Sequence, residues 1–139
     1  MSIDFLRLVF DMGLVVLIWL VQLVIYPSFS YLSKQELILW HEKYTIRIGC
    51  VVMPLMLSQL VLAIIQFSRK PELYSSASLV LITLVWSSTF LQFVPIHKKI
   101  SNRRIDKKLL NKLVKLNWIR TSLWTIIFLW TLYKCIDHT

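Results

Sequence analysis

The sequence predicts an all-α polytopic membrane protein, a four-transmembrane-helix bundle with amphipathic connector helices on its cytoplasmic side. Three observations carry that reading. The 139 residues are 57% hydrophobic with a mean hydropathy of +0.65, more apolar surface than one soluble core of this size could hide. Four apolar stretches have close to the 20 or so residues that a helix needs to cross a bilayer. Between the last two stands a run of eight lysines and arginines, from Lys98 to Lys115, which does not readily cross a membrane and so fixes a side.

The four spans are expected at about 5–26, 47–67, 77–95 and 116–133, forming a single domain over 1–139. The first ends at Pro27, and Asp4 and Asp11 within or before it, with no small-residue cleavage site following, argue against a cleaved signal peptide. Pro54 is expected to kink the second span. The third closes at Pro95. At this length only helices satisfy their own backbone in lipid, hence the all-α bundle.

Eleven basic residues fall in the first and third connectors and four (Arg7, Arg69, Lys70 and Lys134) on the other side, so both connectors are assigned to the cytoplasm and both termini outside. Ser33-Lys34-Gln35-Glu36 is a capping-box pattern that starts a helix near Lys34. Ile105, Leu109, Leu113 and Leu116 recur at helical spacing with lysines opposite, an interfacial helix suited to anionic lipid rather than to nucleic acid. Cys50 and Cys135 fall near opposite faces, too far apart for a disulfide within one chain.

Polar residues inside apolar stretches need a reason. Thirteen uncharged residues separate Arg120 from Lys134, about 20 Å of helix against a hydrocarbon core of about 30 Å. Lys134 can snorkel. Arg120 shares a stripe with Asn117, Thr121 and Trp124, and either faces the bundle interior or marks the interface. On the first span Asp11, Trp19, Gln22 and Tyr26 lie close to one face, and Asp11 can pair with Arg7 one turn away. His41 and His97 fall at cytoplasmic helix ends, without a metal-type spacing; His138 belongs to a polar tail. Gln59 and Gln66 read as interhelical hydrogen-bond glue.

Gln22, Tyr26, His41, Tyr44, His97, Asn117, Arg120 and Trp124 therefore converge on one cytoplasm-facing polar pocket. His41, His97 and Tyr26 are its candidate catalytic acid–base groups; Gln22, Tyr44, Asn117, Arg120 and Trp124 are its candidate binding residues, with Arg120 able to hold an anion.

The pattern Trp19-x-x-Gln22-x-x-x-Tyr26-Pro27, His41-x-x-Tyr44, Pro95-x-His97, Asn117-Trp118-x-Arg120-Thr121-x-x-Trp124 resembles a bacterial family of small four-helix integral membrane proteins of uncharacterised function. That resemblance spans nearly the whole chain and implies the bacterial inner membrane. It also implies an acidic residue near Ser58, which this chain lacks. The Pro-x-polar and Asn-x-x-Arg motifs look more distantly like the anthrone-oxygenase-like membrane proteins, which implies an oxidoreductase acting on a lipid-soluble aromatic or quinone-like molecule. Two alternatives stand beside it: a non-catalytic lipid-binding or membrane-complex assembly protein, and a haem or metal protein using His41 and His97. The residues name no cofactor, and they are compatible with an oligomer. Without inverted repeats or broken helices, a transporter fits least.

Overall fold

A computed structural model describes residues 2–137; His138 lies outside them. All secondary structure among the described residues is helical, arranged as four long helices: α1 Ile3–Tyr31, α2 Lys34–Arg69, α3 Leu73–Ser101 and α4 Lys107–Asp137. Short connectors force neighbours antiparallel. α1 packs on α2 and, most extensively, on α4; α3 packs on both α2 and α4, so the four close into a ring around one core. The connectors before α2 and α4 share the basic end, and Lys98, Lys99, Arg103, Arg104, Lys107, Lys108, Lys112 and Lys115 are all exposed there.

Helix starts follow local chemistry. The Ser33 hydroxyl accepts from the Glu36 amide at 3.3 Å while the Glu36 carboxylate accepts from the Ser33 amide at 2.9 Å, completing the expected capping box. The connector helix it begins does not stop before the second span: α2 is one helix of 36 residues and passes Pro54 without a change of helix type. Asp106 starts α4 by accepting from the Leu109 amide at 2.6 Å.

Two helices run past the expected span ends. α1 continues through Pro27 and α3 through Pro95. Each proline is preceded by a π-helical segment, Val21–Ile25 and Thr89–Phe93. The Tyr26 amide bonds to the Val21 carbonyl, and the Val94 amide to the Thr89 carbonyl, each five residues back. A proline ring inside an α-helix meets the carbonyl four residues earlier and has no N–H to give it. Widening the turn ahead of the ring moves that carbonyl aside, so the helix survives the proline.

Three helices, α1 to α3, are long and apolar enough to cross a membrane. α4 is diluted by Asn117, Arg120, Thr121, Ser122, Thr125 and Thr131. Polar side chains are buried within the apolar core while apolar ones cover the outside: Arg7, Asp11, His41, Gln59 and Asn117 are fully buried, whereas Val16, Leu23, Val24, Val61, Val80, Leu91 and Leu129 are about half exposed or more. Trp19 is exposed at the α1–α4 seam rather than turned inward, donating to Thr125 Oγ1 at 3.1 Å and meeting Trp118 edge-on.

At the far end Glu72 accepts from Lys134 and lies 2.9 Å from Lys70 Nζ. Hydrogen bonds from Lys134, then Lys70, draw its carboxyl down to about 2. A depressed carboxyl stabilises the fold above its unfolded-state value, and that contribution is lost as pH falls toward 2. Glu72→Gln is therefore expected to lower the thermal midpoint at neutral pH, with the gap to wild type closing on acidification. Circular dichroism melts across that range check it, and a gap that persists at pH 2 contradicts it.

Candidate functional site

Two polar clusters occupy the bundle, one toward each end. The far cluster is organised by an ion pair with no exposure. Arg7 Nε lies 2.9 Å from Asp11 Oδ1, the i,i+4 pairing expected from the sequence. The other guanidinium nitrogens donate to Gln66 Oε1 at 3.0 Å and Ser78 Oγ at 2.8 Å. Asp11 also accepts from Gln59 Nε2 at 2.7 Å and from Thr131 Oγ1 at 2.6 Å, and the Thr131 hydroxyl meets Tyr74 OH at 3.0 Å. Residues from all four helices close this network. The sequence counts Arg7 among the four basic residues of the outer side and does not announce its burial; the signal lies in Gln59 and Gln66, seven residues apart on one face of α2.

The second cluster lies toward the basic end, where the π-segments of α1 and α3 deliver Tyr26 and His97 to the same level. Tyr26 OH lies 3.1 Å from His97 Nε2. His97 Nδ1 lies 2.8 Å from His41 Nε2, and the two imidazoles stack with centroids 5.0 Å apart. His41 Nδ1 lies 3.4 Å from the hydroxyl of exposed Ser101. One unbroken chain of polar atoms thus runs from the surface at Ser101 through two histidines to a tyrosine. Each neutral imidazole donates at one nitrogen and accepts at the other, so the chain can run in either direction, and reversing it carries one proton from end to end.

That tyrosine opens onto a cavity of about 300 Å³. Ile18, Val21, Ile48, Val52, Met56 and Phe93 give it an apolar body; Tyr26, Tyr44, His97 and Arg120 give it a polar end, with Trp124 beside them. Its lining residues Met53 and Val94 are exposed, which places the mouth between α2 and α3. Arg120 is 7% exposed, and its guanidinium carbon sits 4.3 Å from the Phe93 ring centroid and 5.1 Å from that of Trp124. The bundle-facing alternative for this residue is the one observed.

Of the eight sequence-nominated residues, Tyr26, Tyr44, His97, Arg120 and Trp124 line the cavity, and His41 stands one hydrogen bond behind it. Gln22 and Asn117 do not line it. Asn117 Nδ2 donates to Gln22 Oε1 at 2.9 Å, Thr121 Oγ1 lies 3.3 Å from the same oxygen, and Gln22 Nε2 donates to the Val114 carbonyl at 3.2 Å, so this group ties α1 to α4. Among the described residues no three of His, Cys, Asp and Glu converge as a metal centre. Cavity residues missed by the sequence reading are the apolar ones and Thr45, Gly49 and Thr89, which carry no motif. No family model, curated protein or solved structure matches this chain.

Proposed function

We propose that this chain spans the bacterial inner membrane four times with its basic end in the cytoplasm, and binds a lipid-soluble aromatic or quinone-like molecule in the α2–α3 cavity. Tyr26, His97 and His41 exchange protons with the oxygen-bearing head of that molecule. The observation that carries this reading is the hydrogen-bonded chain from exposed Ser101 to Tyr26 at the cavity wall. A site that only held a hydrocarbon tail has no use for two imidazoles in series, one fully buried and one half-buried.

The apolar exterior supports a lipid surround, and the eight exposed cations at one end suit anionic headgroups. A mouth between two helices admits a ligand from the bilayer directly. In the oxidoreductase form of the proposal, the chain's own residues serve the proton half of the reaction, and electrons come from a separate redox partner.

Gly49 supplies the test. It lines the cavity, and a Cβ built there meets nothing within 4 Å. Gly49→Leu is expected to keep the fold, since most residues outrank glycine in a helix interior, while filling ligand space. In lipid nanodiscs, calorimetric titration with a short-tailed benzoquinone is expected to show binding to wild type and a loss of about tenfold or more in the variant. Equal titrations for the two proteins would remove the cavity from the proposal.

A further inference from the structure

Arg120 is a charge without a counter-charge. Arginine stays protonated in proteins, and a buried guanidinium ordinarily has a carboxylate or several acceptors around it. Arg7 in the same bundle meets that rule, with a carboxylate, an amide oxygen and a hydroxyl. Arg120 has no carboxylate within ion-pair distance among the described residues, and its buried Nε has no hydrogen-bond partner. Its neighbours are two aromatic faces and the hydroxyls of Tyr26 and Tyr44. It also lines the cavity.

The side chain is held there deliberately. Trp124, over which the guanidinium lies, donates its Nε1 proton to Gln59 Oε1 at 3.2 Å, and Gln59 in turn donates to Asp11 at 2.7 Å. A line of contacts therefore runs from the far ion pair to the ring that supports Arg120. This arrangement presents an oriented cation to an apolar space and leaves the anion to be supplied from outside.

We propose that Arg120 is the receptor for the anionic head of a lipophilic acid, whose apolar body fills the cavity and whose carboxylate or phenolate oxygen takes the vacant acceptor position. This rests on the cavity being the ligand site and adds the charge of the ligand to it. A neutral quinone uses the same space but leaves Arg120 unpaired; an acid neutralises it at the point where Tyr26 can also donate.

The test compares acids with their uncharged isosteres in nanodiscs of zwitterionic lipid. The probes are decanoate, 4-butylbenzoate, 4-butylphenol at a pH above its ionisation, and the corresponding methyl esters and methyl ether. Wild type is expected to bind the anions about 10- to 100-fold more tightly than the neutral analogues, the range for hydrogen bonds to a charged partner. Arg120→Gln is expected to collapse that ratio toward one, and Arg120→Lys, which keeps the charge without the fork, to retain part of it. The stronger of the decanoate and benzoate arms identifies the source as fatty-acyl or aromatic. Benzoquinone and the esters binding wild type as tightly as the acids would overturn this proposal while leaving the cavity reading intact. No probe binding wild type more tightly than Gly49→Leu would overturn both. Should Arg120→Gln fail to fold, the Arg120→Lys ratio decides: a ratio unchanged from wild type overturns the guanidinium Nε as the receptor for the anion.

Discussion

Asp11→Leu is expected to destabilise the bundle by about 3–5 kcal/mol, the cost of leaving a buried charge unpaired. The carboxylate accepts three hydrogen bonds, from Arg7, Gln59 and Thr131, and both it and Arg7 have no exposure. Removing it strands a guanidinium, an amide and a hydroxyl together. The attraction within the pair is not the source of that cost. Taking Arg7 away as well, as Arg7→Met with Asp11→Leu, removes the orphaned charge, so the double variant is expected to recover most of the loss. Unfolding titrations of the two proteins in mixed micelles decide it; a single variant within about 1 kcal/mol of wild type would mean that water reaches Arg7.

His97→Leu is expected to slow proton exchange with a bound ligand head by about 10²–10⁴-fold, the usual contribution of a positioned acid–base group. Leucine fills the imidazole's place but breaks both the 2.8 Å bond to His41 and the 3.1 Å bond to Tyr26. Ligand affinity is expected to change far less, because the apolar wall is kept. Stopped-flow absorbance of a quinol-type indicator after a pH jump reads the rate, and calorimetry reads the affinity. Tyr26→Phe separates relay from packing. Its ring, stacked against Phe93 and tilted on Phe29, is retained, and only the terminal hydroxyl is lost. A His97→Leu rate equal to that of wild type would exclude His97 as a carrier.

How much of this was legible depends on the distance over which each signal acts. Ser33 and Glu36 are three residues apart, and their capping box could be read and was formed. The Arg7–Asp11 pair is likewise local. Tyr26, His97 and Arg120 could be nominated because costly residues in apolar stretches need an explanation, and helix ends gave their level. Rotation about each helix axis was less legible. By spacing Trp19 and Gln22 lie close to one helical face, yet Trp19 is exposed while Gln22 is buried and bonded to Asn117. Pro27 and Pro95 mark span ends in the sequence but not helix ends, because a widened turn ahead of each lets the helix continue. The cavity itself was illegible, because it is made of space between common apolar side chains.

The two π-segments have a consequence for register. Each turn of five rather than four residues holds one residue more than an α-helix would use, and one residue is worth about 100° of rotation. Tyr26 and His97 therefore face one another through a matched pair of single-residue insertions on separate helices. In an ideal α-helix of the same composition each would point about a quarter-turn away, toward the bundle exterior or a neighbouring helix. Sequence length, counted to the single residue between helix start and proline, is thus itself a determinant of the site, and a homologue with one deletion in either segment would keep every polar residue and the bundle while losing their alignment.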